Sequence, residues 1–422
     1  MPFCSVIWRN GRSLRILSVR YRAMEFADSP EDAAFRHEVV SWLAEHVVGE
    51  FAELGGRGGS GDETFGFEVR RAWERELAIG GWTCIGWPVE YGGRGASIAQ
   101  QVIFFEEYVK AKAPGRVGVL GEGLLGPTLI HYGTEEQKAR FLPTIVAGEE
   151  LWSQGYSEPN AGSDLASLST KAELDGDEWV ITGQKVWTSL AHQSDWCFVL
   201  CRTDPISERH KGLSYLLVPM NQPGIEIRPI RQLTDTSEFN EVFFDGARTK
   251  KENIVGEPGQ GWTVGLATLA FERGVGLLGH LLSFRREFDA LLAVAKENGM
   301  SQRPIMRDRL TRSFVELEIL RATTLRSLTG VDGPAAAPEA SVLKLFWSTW
   351  HQQFGELCMD IRGMEATLVG DSYDLGQEHR TFLFSRSETI YGGSNEIQKN
   401  IIGERVLGLP SEPKPQPKGN PS

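Results

Sequence analysis

The apolar positions along this chain change their period twice. From Asp28 to about Gly148 they recur at helical spacing, with Phe35, Val39, Trp42, Leu43 and Val47 three and four apart. Ser29-Pro30-Glu31 places a capping residue before a first-turn proline, so a helix is predicted to begin there. A Gly- and Pro-rich stretch, GWPVEYGGRGAS, precedes a second helical run through Phe104, Phe105, Tyr108 and Val109. Near Trp152 the texture changes. EWVITG, DWCFVLCRT, LSYLLVPM, IEIRPI and EVFFDGA are alternating or β-branched runs with turn signals between them. They predict a β-barrel or sandwich.

Helical period returns from Trp262 to about Gly408. It includes the long segment TVGLATLAFERGVGLLGHLLSFRREFDALLAVAKEN and, after the loop GVDGPAAAPEA, a helix around SVLKLFWSTWHQQFGELCMDI. The expected fold class is therefore α+β and multidomain. A helical N-terminal domain spans 24–150, a β domain 151–258 and a C-terminal four-helix bundle 259–409. Residues 1–23 read as a disordered extension or as sequence ahead of the true start, and the Pro-rich 410–422 as a disordered tail.

Composition narrows the function classes. A net charge of −12 argues against a general nucleic-acid binder. No run approaches the roughly 20 apolar residues of a membrane span. The five cysteines form neither a CxxC pair nor a metal-ligand spacing, so they read as reduced thiols, with Cys197 and Cys201 in an apolar strand. Arg9, Arg12, Arg15, Arg20 and Arg22 precede any acidic residue, as in an organellar transit peptide. Amphipathic helical sequence begins directly after Met24, which favours Met24 as the start and a cytoplasmic location over the mitochondrial matrix.

Gly121 to Gly126, GEGLLG, matches GxGxxG, but no βαβ pattern surrounds it and Glu122 would face the phosphates. It reads as a packed turn between helices, which argues against a nicotinamide dehydrogenase.

Four segments carry a more specific signal: YSEPNAGSD (156–164), TGQKVWTS (182–189), the helix containing FERG, and IYGGSNEIQKNIIGERVLGLP near the end. In order and spacing they resemble the acyl-CoA dehydrogenase family over residues 26–410. The resemblance implies FAD as cofactor, an acyl-CoA substrate, and the family's helical–β–helical fold. It implies that Tyr156, Ser157, Trp187 and Ser189 hold the flavin, with Ser157 at the pyrimidine edge and Trp187 against the isoalloxazine. Ser163 would contact CoA, and Ser394 and Glu396 a partner subunit's FAD.

One departure bears on mechanism. Many members carry the base in a Tyr-Glu-Gly-Thr motif, and here the matching residues are Tyr391-Gly392-Gly393-Ser394. A subgroup resembling isovaleryl- and long-chain-type enzymes places it on a C-terminal helix, immediately before an Arg. Phe271-Glu272-Arg273 stands at that location. At helical spacing from Glu272 lie Gly265, Thr268, Leu269, Val275, Gly276 and Gly279, a small apolar face with room for a ligand. Such a face raises a carboxylate's pKa. Glu272 is thus the expected base, Arg273 a substrate contact, and Gly392 an N–H donor to the thioester oxygen.

Further departures concern the cofactor. The family's Arg that reaches a neighbour's FAD is replaced near Asn298, a family Gln corresponds to Asp360, and Glu396 would face phosphate repulsion unless it meets a ribose or amide. The resemblance implies a homodimer or homotetramer reoxidised by an electron-transferring flavoprotein. The alternatives are a non-catalytic chain of a heteromer, or an acyl-CoA oxidase or flavin monooxygenase relative.

Overall fold

Ser29 caps the first long helix as its sequence predicts: its side chain accepts from the Asp32 N–H, and Pro30 occupies the first turn. The computed structural model describes residues 6–10, 13–17, 28–59, 61–207, 209–272, 276–329 and 339–411. Within the segment expected to be a disordered extension, β1 (Val6–Asn10) pairs antiparallel with β2 (Ser13–Leu17), Val6 opposite Leu17. A lone hairpin of this kind is marginal in water. The rest of residues 1–27, and the tail from 412, lie outside the described residues.

Six helices form the N-terminal unit: α1 (Pro30–His46), α2 (Glu50–Glu53), α3 (Phe67–Ile79), α4 (Ile98–Lys110), α5 (Gly126–Tyr132) and α6 (Glu135–Val146). Aromatics fill its centre. Trp82 stacks on Phe104 at 5.7 Å, and Trp73 donates its indole N–H to the Tyr108 hydroxyl at 2.6 Å.

The middle unit contains β3 (Trp152–Gly155), β4 (Lys171–Asp175), β5 (Glu178–Ser189), β6 (Trp196–Arg202), β7 (Leu213–Pro219), β8 (Ile225–Ile230), β9 (Phe239–Lys250) and β10 (Ile254–Val255). They make one eight-stranded sheet in the order β10-β7-β6-β4-β5-β9-β8, with β3 parallel to β6. The run WCFVLC is apolar throughout because both faces of β6 are covered. Cys197, Val199 and Cys201 enter one core cluster, and Phe198 and Leu200 another that is shared with the N-terminal helices. Cys197 and Cys201 are free and buried, as their place in an apolar strand implies.

The C-terminal unit holds α7 (Gly261–Glu272), α8 (Gly276–Glu297), α9 (Pro304–Thr329), α10 (Glu339–Arg362), α11 (Gln377–Glu388) and α12 (Asn395–Ile401). Helices α8 to α11 enclose Phe284, Phe288, Leu320, Trp350 and Phe354. The long predicted segment from Thr263 is covered by α7 and α8, and residues 273–275 lie outside the described residues. Among the described residues no helix is long and apolar enough to cross a membrane.

Candidate functional site

The signature YSEPNAGSD forms a tight loop after β3. Glu158 and Ala161 exchange reciprocal backbone hydrogen bonds of 3.0 Å around Pro159-Asn160. Beneath it the Glu158 carboxylate is buried. It accepts from the Ser169 and Thr170 N–H groups at 2.7 and 2.9 Å, and from the Lys185 ammonium at 2.8 Å. Lys185 is fully buried and also donates to the Tyr156 carbonyl at 3.0 Å. Burial alone would raise the Glu158 pKa, but the Lys185 charge and these hydrogen bonds outweigh it and hold the group at about 2.

This ion pair joins two sequence motifs into one surface. Lys185 lies on β5, and beyond it the β5–β9 register shifts between Lys185 and Thr188. The bulge turns the strand. Trp187 adopts φ +60, a region a bulky L-residue rarely occupies; the residue is 58% exposed, and its ring meets Phe239 edge-on with centroids 6.3 Å apart. The Val186 N–H donates to the Ser157 carbonyl at 2.9 Å. That bond brings the Ser157 loop against the Val186–Ser189 end of β5, with Ser157 and Ser189 half-buried. An exposed aromatic and two hydroxyls there make a donor set that fits an isoalloxazine ring. Ser163 is exposed on the same loop. The Tyr156 ring, by contrast, points into the core between Phe198 and Tyr215.

Helix α7 brings Glu272 to its C-terminal end, and Phe271 stacks on His131 of α5 with centroids 5.4 Å apart. The Glu272 side chain and all of Arg273 lie outside the described residues, as do the side chains at 275 and 276. At Gly265 and Thr268 the small-residue face packs against the protein interior. A Cβ at Gly265 would meet Leu200 at 3.1 Å and the Tyr156 hydroxyl at 3.5 Å, and Thr268 is fully buried. Gly265 lets α7 pack tightly on the middle unit, and a Cβ at Gly279 of α8 would stand 3.9 Å from Phe105, a looser contact.

Gly392 lies in the turn between α11 and α12 at φ +62. A Cβ there would meet only Lys344 Cε at 3.8 Å, so the backbone conformation rather than crowding favours glycine. Its carbonyl accepts from Gln398 at 3.0 Å, and no backbone acceptor among the described residues takes its N–H. Ser394 caps α12 by accepting from Ile397 N–H, and Glu396 is exposed in the first turn.

Three family models cover these units in order. They are the acyl-CoA dehydrogenase N-terminal domain over residues 29–149, the middle domain over 153–247 and the C-terminal domain over 259–407. The chain belongs to the acyl-CoA dehydrogenase family. It is an FAD-dependent oxidoreductase acting on acyl-CoA. Acyl-CoA dehydrogenase IpdE1 of Mycolicibacterium smegmatis is 55% identical over 390 residues, covering 90% of this chain and 98% of its own. The protein of the same name from Mycobacterium tuberculosis is also 55% identical, over 382 residues, with 90% and 98% covered. Among solved structures, the Tcur3481-Tcur3483 steroid ACAD matches with a TM-score of 0.80 at 31% identity, over 92% of this chain and 100% of that one. The ChsE4-ChsE5 complex from Mycobacterium tuberculosis matches with 0.73 at 32% over the same shares.

In this acyl-CoA dehydrogenase the departures at 298 and 360 are occupied within the chain. Asn298 donates to the Ile361 carbonyl at 2.9 Å, and Asp360 pairs with Arg309 at 2.6 Å. Sequence reasoning also missed the brace behind Gly392. Lys344, Ser348 and His351 lie on one face of α10. Lys344 donates to the Glu388 carbonyl at 2.7 Å and Ser348 to the Asn395 side chain at 3.1 Å. His351 bridges the buried Glu388 at 2.6 Å and Glu287 at 2.8 Å. No local pattern marks this triad, because its members come from three helices.

Burial pulls the His351 pKa down, but Glu388 and then Glu287 outweigh it and hold the imidazole up at about 10. A raised histidine contributes stability in full below its unfolded pKa, which is about 6.5. That contribution is lost as pH rises through about 10. The wild-type melting temperature should thus fall between pH 7 and 10.5, while that of His351→Gln should be lower at pH 7 and flatter over the same range. Parallel melting curves for the two proteins would contradict this.

Proposed function

We propose that this chain dehydrogenates a ring-bearing, steroid-derived acyl-CoA thioester to its trans-2-enoyl-CoA, with Glu272 as the base. The observation that carries the flavin chemistry is Trp187, an exposed aromatic held in a strained conformation beside Ser157 and Ser189. Strain and exposure together are characteristic of a functional position, since a core tryptophan gains nothing from either. Support for the ring-bearing acyl group comes from the steroid ACAD named above.

In this reading Ser157 and Ser189 orient the flavin and Trp187 walls its ring, with the Tyr156 backbone setting the loop. Ser163 contacts the CoA moiety. Glu272 removes the α-proton, the electron pair of that C–H bond forms the C=C bond, and Arg273 beside it helps seat the substrate. FAD supplies the two-electron acceptor for the β-hydride. The Gly392 N–H stabilises charge developing on the thioester oxygen, a position where one well-placed donor is worth about 10²–10³ in rate. Ser394 and Glu396 face the cofactor of a partner subunit. An electron-transferring flavoprotein then reoxidises the enzyme in the cytoplasm of a bacterial cell.

Mixing flavin-loaded protein anaerobically with octanoyl-CoA, isovaleryl-CoA or 3-cyclohexylpropanoyl-CoA tests the reading. Bleaching of the yellow flavin, fastest with the cyclic acyl group, is the expected result. Fastest bleaching by octanoyl-CoA overturns the acyl class, and no bleaching by any of them overturns dehydrogenation by this chain.

A second reading, a non-catalytic chain that completes a heteromer, is favoured by Asn298 and Asp360, whose side chains are engaged within the chain. A colourless protein that gains flavin only with a co-expressed partner would support it.

A further inference from the structure

Buried hydroxyls cross the junction of all three units in one line. Thr268 of α7 lies 2.9 Å from Thr128 of α5, oxygen to oxygen, and Thr128 donates to the Leu124 carbonyl at 2.7 Å. On its other side Thr268 reaches the Tyr215 hydroxyl of β7 at 3.5 Å, and the Tyr215 ring packs edge-on against Tyr156. Thr128, Thr268 and Tyr215 have no exposed surface. Leu124 belongs to GEGLLG, the motif set aside as a nucleotide loop. Those residues form a π-helical turn, Gly121–Leu125, that runs straight into α5. Insertions of this kind concentrate at functional sites.

A hydroxyl has one proton to give, and the Leu124 carbonyl can only accept. The bond to Leu124 therefore leaves the Thr128 oxygen open to accept from Thr268. The Val264 carbonyl, 3.0 Å from the Thr268 oxygen, competes for the same proton within α7. Only the bond to Thr128 reaches outside the helix toward the N-terminal unit. A direct hydroxyl pair in a dry interior tolerates little rotation, because a turned helix would bury both groups unpaired.

Glu272 is four residues beyond Thr268, one turn along the same helix face. Its place on that face turns with the rotation of α7. Gly265 fixes how close the helix comes to the middle unit, but a glycine has no side chain to set rotation. Thr268 has one.

We infer that Thr268, through Thr128, is a positioning residue for the proton-abstraction step, holding α7 at the rotation that aims Glu272 at the α-carbon. This rests on the reading of Glu272 as the base. The test is anaerobic flavin reduction under saturating acyl-CoA, using flavin-loaded protein and the fastest of the three thioesters above, unlabelled, α-deuterated and β-deuterated. Thr268→Val, Thr128→Val, their double variant and Thr268→Ser are compared with wild type. Thr268→Val and Thr128→Val should each slow reduction about 10- to 100-fold, the scale of a misplacement near 1 Å. The double variant should be no slower than the slower single, as expected for partners in one bond. Thr268→Ser, which keeps the hydroxyl, should recover most of the rate. The α-deuterium isotope effect should grow in the valine variants and the β-deuterium effect should not, a signature that loosened packing alone does not produce.

Wild-type reduction by Thr268→Val, additive losses, or an unchanged α-isotope effect would each overturn the inference. Thr128→Val removes the same bond from another unit and answers the question should Thr268→Val fold poorly. Glu272→Gln run alongside separates the two layers. If it reduces flavin normally, the base reading fails. If it is inactive while both valine variants are normal, only the positioning role fails.

Discussion

Glu272→Gln should reduce flavin with acyl-CoA about 10²- to 10⁴-fold more slowly than wild type, the range a positioned general base supplies. An amide of the same shape keeps the size of the side chain and removes its capacity to accept the α-proton. The visible spectrum of the bound flavin should be unchanged, because Ser157, Trp187 and Ser189 belong to the middle unit and Glu272 to the end of α7. The affinity for acyl-CoA should change little, which separates a missing base from a missing substrate contact. The backbone sharpens the case. Gly392 stands where many relatives carry the glutamate, and at φ +62 an L-residue is disfavoured by about 1 kcal/mol or more. A variant that retains near-normal bleaching would place the base elsewhere.

The second large effect is expected on stability and flavin content together. Lys185→Met leaves Glu158 buried without its cation, and removing one partner of a buried pair destabilises by about 3–5 kcal/mol. With Glu158 held at about 2, the intact pair contributes stability above the unfolded carboxyl range and loses it only as pH falls through about 2. In the variant the sign reverses. An unpaired buried carboxylate gains by protonation, so Lys185→Met should be damaged most at pH 7 and recover partly near pH 5.5. Flavin should be lost in parallel, because Lys185 also holds the Tyr156 carbonyl and so the loop carrying Ser157. Glu158→Gln combined with Lys185→Met should restore part of the melting temperature. Wild-type flavin content and melting temperature in Lys185→Met would show the pair to be unimportant for the site.

Much of this molecule was legible residue by residue. Phe35, Val39 and Leu43, spaced by helical period, are the buried face of α1, and Ser29 is its cap. The apolar run at Cys197–Cys201 is a strand because β-branched and aromatic residues fill both covered faces of the sheet. GEGLLG, expected as a packed turn between helices, is instead a π-helical turn that continues into α5, where Glu122 pairs with Arg116 and Gly126 abuts Trp87. Lys185 carried a signal that went unused. It shares strand parity with Trp179 and Ile181, and a lysine facing inward demands a buried acid. The small face of α7 was visible, but period alone does not say whether glycine makes room for a ligand or for another backbone.

The sequence by itself determined the order of helical, β and helical units and the family, and it pointed to Glu272 as the base where position 392 carries no carboxylate. Each of these is written in local spacing or in short contiguous motifs. Only the tertiary structure decided how Glu158 finds Lys185, how His351 joins Glu287 to Glu388, and how Thr268 meets Thr128, 140 positions away. It also decided the strained, outward Trp187, which depends on where the β5–β9 register slips. Buried polar groups must find partners or the fold loses their desolvation energy. Which distant residue answers is a property of packing in three dimensions, and no period along the chain records it.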